Sequence, residues 1–526
     1  MRRTPRSCFA FVIVLASVAA CGAPDDSPFD AEPPGTAPEA LKTTANQNIP
    51  SDPSRSAAAI SLVTTALGTG TTVAGYASKP AGAPTAAWSF SPDAGVSWTA
   101  HRSDEAGEFQ WPEAPVNDGP FAYYGDAPTL VALDAFPGVV VAVVSAYGNH
   151  ASAVDAIALV STDGGAHFKN PTLITTESYA DMPGAAPVLE YVTAGAVIGS
   201  SGGAGAGVWT LYRDHQVWFM RKLAYDVASQ SMKLSGADAR IPVSITKNYK
   251  DDPLTEPAGP SSILSYINEK GEETVLVASS THDNRLDTCP LADPQSTGIE
   301  VQWRLSTAQW SSTGGLLEGW GKSRSLGEDL SWPRCIGAGG RFFKNIIRPV
   351  ITVDPENYTI WAAHNESRYK SGSEIIVYRV GGPFVQSYAD RILSSALTDS
   401  GDPLPGVHDQ WGPTLAILHA AGEPFPTVAL TWHDTRDDPA SPGAKTSLWG
   451  AFTHSDSLEM FLTLDFTVGR ITPLAPGPQA VPWALTDIWG RYDGIVASPA
   501  TGDFLVAWGD NRAGGKTQIW TSRIAP

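Results

Sequence analysis

Charge is what this chain has least of. Only 17% of its 526 residues are Asp, Glu, Lys or Arg, and the balance is acidic, at −19. An acidic surface argues against nucleic acid and anionic membrane surfaces as partners. It also disfavours polyanionic substrates, unless a local basic pocket overrides it. Cysteine is scarce as well: Cys8, Cys21, Cys289 and Cys335 are all there is. None stands in a metal-type spacing with His or Cys neighbours, which excludes a zinc site of the usual kind. No stretch keeps a helical period for three turns. Beyond the first twenty residues no apolar run reaches the ~20 residues that a spanning helix needs. Also missing are a Gly-x-Ser-x-Gly elbow leading into a helix, a His-Glu-x-x-His pair, a phosphate loop and a dinucleotide fingerprint. "SGGAGAG" near Gly202 has no helical pattern after it, so phosphate binding is not expected.

What is present begins with a targeting segment, residues 1–20. Arg2, Arg3 and Arg6 precede a short apolar core, "CFAFVIVLASVAA". The "SVAAC" that ends at Cys21 resembles a bacterial lipobox, in which the Cys becomes the lipidated N-terminus. An ordinary secretory peptide ending near a Cys is the alternative. The lipobox reading predicts an exported cell-envelope protein that meets the membrane through its lipid anchor only. Residues 21–57 are rich in Pro, Ala, Asp and Ser with few large apolar side chains, and read as a flexible tether. Cys8 leaves with the leader, so Cys289 and Cys335 remain. In an exported chain they are most simply a disulfide, with two free thiols as the alternative.

The rest, 58–526, repeats itself. "APTLVALDAFPGVVVAVVSAYGN", "RPVITVDPENYTIWAAHNESR", "GPTLAILHAAGEPFPTVALTWHDTR" and "YDGIVASPATGDFLVAWGDNR" each read as two apolar strands, with a third strand following. Weaker copies start near Ala58, Pro187 and Ser261. Similar meanders of short strands without helices predict an all-β fold, a β-propeller of four-stranded antiparallel blades. Seven blades are expected, with six as the alternative. The last unit stops after its third strand, so its outer strand is expected from residues just before Ala58.

Two short stretches in this domain nearly copy each other: Ser91-x-Asp93-x-Gly95-x-x-Trp98 and Ser161-x-Asp163-x-Gly165-x-x-Phe168. They resemble the Asp-box, or BNR repeat, of the sialidase-like propellers. "THSDSLEM" near Asp456 is a degenerate third copy. The resemblance implies a hairpin between the third and fourth strands of a blade, away from the ligand face. Asp93 and Asp163 are therefore expected to be structural. "WHDTR" and "WGDNR" add to the resemblance, and their Asp434–Arg436 and Asp510–Arg512 are expected to pair within each motif.

A further recurrence places an Asp just before the innermost strand: Asp126, Asp181, Asp251, Asp409 and Asp487, with Asn345 in the remaining copy. Such residues converge at the channel mouth. Self-capping of their own turns, a general acid and a bound Ca²⁺ are all open to them; no other cofactor is expected. The sialidase template implies three Arg that clamp a carboxylate, a Tyr nucleophile paired with Glu, and an Asp acid/base. Its Arg-Ile-Pro signature is missing from the N-terminal part of the domain. The candidates here are Arg348, Arg436 and Arg491 for the clamp, Tyr492 with Glu366, and Asp126. Seventeen Trp suggest sugar stacking as well as packing, and Trp411 and Trp489 are the expected exceptions to packing. The insertion from about 281 to 345, pinned by Cys289 and Cys335, is a candidate lid or specificity loop. The sum is a monomeric propeller that engages glycans, as a glycoside hydrolase or as a non-catalytic binding or scaffold propeller for a protein partner.

Overall fold

Each strong repeat has a second strand that is apolar at nearly every position, and the reason lies in what covers its two faces. In the computed structural model β1 (Lys42–Thr43) and β2 (Gln47–Asn48) are short. They precede a first sheet of β3 (Ser56–Thr65), β4 (Thr71–Lys79), β5 (Thr85–Ser91) and β6 (Thr99–Arg102). Next come β7 (Phe121–Ala132), β8 (Val140–Gly148), β9 (Val154–Ser161) and β10 (Lys169–Leu173). A third group holds β11 (Glu190–Ile198), β12 (Gly207–Asp214), β13 (Val217–Asp226), β14 (Ser231–Leu234) and β15 (Ile241–Val243). A fourth holds β16 (Thr255–Ile267), β17 (Glu273–Asp283), β18 (Gln302–Trp310) and β19 (Arg324–Ser325). A hairpin of β20 (Cys335–Ala338) and β21 (Arg341–Lys344) follows. Then come β22 (Val350–Val353), β23 (Ile360–Glu366), β24 (Glu374–Val380) and β25 (Ala389–Ile392). The next group is β26 (Gln410–Leu418), β27 (Thr427–Asp434), β28 (Ser447–Thr453) and β29 (Phe466–Arg470). Last are β30 (Gly494–Ser498), β31 (Asp503–Asp510) and β32 (Gln518–Ala525).

The structure describes these strands together with 41, 44, 49, 70, 92–98, 111–116, 120, 133–139, 162–168, 174–175, 199, 227–230, 235, 349, 354, 356, 359, 419, 423–426, 471–472, 493, 499 and 501–502. Among the described residues every element is a strand, turn or bend, and no helix is long and apolar enough to cross a membrane.

Within each group neighbouring strands pair antiparallel in chain order. Between groups the sheets stack face to face, and period-2 alternation divides each second strand between two cores. Val141 and Val143 of β8 pack with Val208, Tyr212 and Leu223 of the third sheet. Val140, Ala142 and Val144 turn the other way, onto Val73 and Trp88 of the first. The same split recurs in β31. Phe504, Val506 and Trp508 meet Ala429 of β27, while Leu505 and Ala507 meet Ile60, Leu62 and Tyr76 of the first sheet. A strand covered on both faces cannot afford polar residues, which explains the unbroken "VVAVV" of β8. Each buried Val or Leu contributes roughly 1.5–3 kcal/mol.

The first strands are neighbours in order. β3 touches β7, β7 touches β11, β11 touches β16, and so on through β22 and β26 to β30, which touches β3. β11 and β16 also pair in parallel, Val197 opposite Ser265.

The last sheet receives its outer strand from the other end of the chain. Lys42 pairs with Ala525 and Gln47 with Thr521, so the order is β1-β32-β31-β30, with β2 also on β32. The compact unit accordingly begins at Ala40 rather than at residue 58. Part of the stretch read as tether is thus folded: Ile49 is fully buried and Leu41 is 9% exposed. Residues 1–20, expected to be a targeting segment, and Cys21 lie outside the described residues.

Candidate functional site

Antiparallel order puts the start of every first strand and the end of every second strand at one end of each sheet. The hairpins between third and fourth strands lie at the other. Both Ser-x-Asp-x-Gly turns are at that other end, between β5 and β6 and between β9 and β10.

Their geometry is local and repeated. Ser91 Oγ donates to Asp93 Oδ1 (2.8 Å) and accepts from the Gly95 N–H (2.6 Å). Asp93 also accepts from the Ser97 N–H (2.7 Å) and the Ser97 hydroxyl (2.6 Å). The second copy matches it: Ser161 Oγ to Asp163 Oδ1 at 2.6 Å, Gly165 N–H to Ser161 Oγ at 2.8 Å, His167 N–H to Asp163 Oδ1 at 3.0 Å. Burial alone would raise the two carboxyls, but these bonds outweigh it and hold both below the usual Asp range. Each oxygen of the two carboxylates has a partner within its own turn.

At the strand-start end the buried polar groups also serve the fold. Asp434, the last residue of β27, accepts from the Trp432 indole (3.2 Å) and the Gln410 amide (2.8 Å), and Gln410 Oε1 accepts from the Ile375 N–H (3.0 Å). Asp510 likewise accepts from Trp508 (3.3 Å). The Trp-x-Asp strings are therefore an indole and its acceptor two residues on. His433 Nε2 lies 2.5 Å from Asp493 Oδ2, both nearly fully buried, which links the end of β27 to the residue before β30.

Trp411 is expected from sequence to present a face to a sugar, and the structure corrects this. It is 1% exposed, lies within β26, and stacks on His433 at 5.6 Å between ring centroids and 15° between planes. Strand alternation and a bulge between Trp411 and Thr414 turn it into the sheet interface. Asp126 sits on β7 where the register slips between Gly125 and Thr129. Glu366 ends β23 opposite Glu374. Asp434 opposite Ser447 and Asp510 opposite Gln518 hold the same place in their sheets. Cys335 opens β20. Arg348, Arg436, Arg491, Arg512, Tyr492, Trp489, Asp181, Asp251, Asp409, Asp487, Asn345, Asp456 and Cys289 lie outside the described residues.

One pairing at this end shows only in the strand register. In "YYGDAP", immediately before Asp126, Tyr123 pairs in register with Tyr147, and their rings stack 4.7 Å apart. Among the described residues no group of three or more His, Cys, Asp or Glu is placed to hold a metal ion.

No family model matches the chain, and no curated protein matches it. Solved structures do. One is a protein of unknown function from Dyadobacter fermentans, 13% identical over 93% of this chain and 99% of that chain, with a TM-score of 0.41. Another is the alpha-L-arabinanase of Penicillium chrysogenum, complexed with arabinobiose, 14% identical over 77% of this chain and 97% of that chain, TM-score 0.36. A third is the GH93 alpha-L-arabinofuranosidase of Fusarium graminearum, 14% identical over the same shares, TM-score 0.35. At that level of similarity the description of the fold rests on the strand order and cores above.

Proposed function

We propose that the chain is an exported, lipid-anchored β-propeller of seven four-stranded blades that engages glycans at the cell surface. The observation that carries this reading is the succession of first strands from β3 round to β30, which touches β3 again. It brings strand starts that are far apart in sequence to one end, where binding residues on a rigid scaffold gather. The paired Ser-x-Asp-x-Gly turns support kinship with sialidase-like propellers. The leader and the lipobox-like Cys21 support the anchor and a place in the cell envelope.

In the hydrolase form of this reading, Arg348, Arg436 and Arg491 hold the substrate. Asp126 protonates the leaving oxygen, and Tyr492, deprotonated by Glu366, attacks the anomeric carbon. A second reading, a binding propeller without catalysis, has one observation in its favour. Glu366 holds the place at which Asp434 and Asp510 accept hydrogen bonds from Trp432 and Trp508.

The test uses the chain from residue 22 onward, which keeps the strands at 42–48. It is incubated with fluorogenic glycosides, a sialoside among them, with and without Ca²⁺, beside Tyr492→Phe. Turnover that the variant loses supports the hydrolase. Absence of turnover, together with retention on a glycan array, selects the binding propeller; absence of both overturns the glycan reading.

A further inference from the structure

Where the strand starts gather, one buried contact departs from the repeat. His433 is the next-to-last residue of β27, and its Nε2 lies 2.5 Å from Oδ2 of Asp493, the residue before β30. The two side chains are 3% and 6% exposed. Alternation along β27 sets the direction. Trp432 packs with Trp361 and Val377 of the preceding sheet, so His433 turns the other way, toward the last sheet. Trp411, opposite His433 in the register, stacks on its ring. The imidazole is thereby held by an indole on one face and by a carboxylate at Nε2.

Asp434 and Asp510 hold the same place in their sheets, and Glu366 holds it in a third. The residue before each differs: His433, Gly509 and Asn365. The recurring acid serves what every sheet needs, and the His is supplied by one sheet alone. Packing does not call for it. Leu505 and Ala507 close the seam between the last sheet and the first with Ile60 and Tyr76. A buried imidazole and carboxylate carry a desolvation cost that such apolar packing avoids. What the pair adds is a fixed geometry, and its place in the chain gives that geometry a use. Arg491 and Tyr492 immediately precede Asp493, and Arg436 follows His433 by three residues. We propose that His433 and Asp493 are positioning residues: their contact fixes the end of β27 against the start of β30, and so sets the spacing of the two chain segments that carry Arg436, Arg491 and Tyr492. The proposal rests on the hydrolase form of the reading above and adds to it two residues that act through their chain neighbours.

The chain from residue 22 is assayed on the 4-methylumbelliferyl glycosides of N-acetylneuraminic acid, arabinofuranose, mannose and glucose, and each variant is also melted. His433→Leu with Asp493→Leu replaces both partners by apolar side chains, which keeps the seam packed and leaves no buried group unpaired. This double variant melts close to the parent and loses at least about tenfold in kcat/KM on the glycoside that the parent turns over. Asp493→Asn keeps an oxygen toward the imidazole and stays within about threefold of the parent. Asp510→Asn, at the recurring acid, lowers the melting temperature and leaves kcat/KM unchanged. Equal kcat/KM in the double variant and the parent overturns the proposal and leaves the hydrolase reading standing. An equal loss in Asp510→Asn overturns it as well, because the loss then belongs to the fold. Should the double variant not fold, Asp493→Ala against Asp493→Asn decides: a loss confined to Ala supports the proposal, and equal kcat/KM overturns it. A parent inactive on all four glycosides overturns the proposal together with the hydrolase reading, and the glycan array then decides the wider one.

Discussion

A Cβ on Gly165 would lie 2.0 Å from Cγ2 of Val73, the third residue of β4. One on Gly95 would lie 2.7 Å from Cδ2 of Leu505, the third residue of β31. The same glycine of the two turns thus meets the same place in the preceding sheet, and for the first turn the preceding sheet is the last of the chain. The Ser and Asp bonds fix the shape of the turn, and the glycine lets the preceding sheet come close. The glycines just before the paired second strand add to it. Gly70 and Gly138 each accept from the turn, through Ala94 N–H (3.0 Å) and Gly164 N–H (2.8 Å).

Gly165→Ala tests the spacer role. Gly165 has φ +100° as well as the close contact, so the variant should lose more than about 2 kcal/mol. Gly502→Ala is the control. Its φ is +71° but nothing lies within 4 Å, which leaves a conformational cost of about 1 kcal/mol. Urea unfolding followed by Trp fluorescence compares them, and equal costs would show that the contact with Val73 does not matter.

The carboxylates of the turns set an acid limit. Asp93 and Asp163 are held below the ordinary carboxyl value in the folded chain by their hydrogen bonds, against the pull of burial. A depressed group contributes stability that is present above its unfolded value, about 3.9, and is lost as pH falls through the folded value. Asp163→Asn should therefore be less stable than the parent near neutral pH, by about 0.5–1.5 kcal/mol because the carboxylate is exposed to solvent, with the gap closing on acidification. Unfolding free energies across that range check it. A gap that is constant with pH would mean that the charge of Asp163 plays no part.

How much of this was legible beforehand depended on how local the cause is. The Ser-x-Asp-x-Gly turns are legible because the hydrogen-bond partners of their Ser and Asp lie within four residues, as Ser91, Asp93 and Ser97 show. The apolar runs of β8 and β31 were readable because both faces are covered. The short last repeat points to an outer strand just before Ala58; β32 is paired instead by residues 42–48, while Ser56 and Ala57 belong to β3. Trp411 was misread because its burial depends on His433, twenty-two residues on, and on a bulge that no composition reveals. The Tyr123–Tyr147 stack is not legible in the sequence because its two residues lie on different strands and meet only through the register.

His419 sets the opposite limit. It follows β26, with Nδ1 3.2 Å from Asp354 Oδ1 and Nε2 2.9 Å from the Glu423 carbonyl, and Glu356 lies 3.6 Å away. Burial alone would lower its pKa, but the Glu423 carbonyl and the Asp354 and Glu356 carboxylates outweigh it and raise it above 6.5. A raised His contributes stability that is fully present below its unfolded value and is lost as pH rises through the folded one. The stability gap between parent and His419→Gln should therefore shrink from about pH 5.5 to about pH 8.5. A gap that widens over that interval would contradict the assignment of the charged form to the fold.

The strands at 42–48 hold the two ends of the compact unit together, and a chain cut at residue 58 should show it. Leu41 packs with Ile471 and Phe504, and Ile49 with Leu505 and Ile519. The Thr44 N–H donates to the Arg523 carbonyl (3.0 Å), the Ile49 N–H to the Ile519 carbonyl (2.9 Å), and Thr44 Oγ1 accepts from the Arg523 N–H (2.9 Å). Arg523 in turn pairs with Asp503 and donates to the carbonyl of Ala94 in the first turn, so the segment braces the seam between the last sheet and the first. Removing it takes away two buried apolar side chains, Leu41 and Ile49, worth roughly 3–6 kcal/mol together, uncovers the core they pack on and leaves β32 as an open edge. The cut chain should melt at lower temperature than one that begins at residue 40, and should aggregate more readily. A synthetic peptide of residues 40–55 added in trans should restore part of the loss. Equal melting of the two chains would mean that β32 needs no outer partner, and that the last sheet stands on its two cores alone.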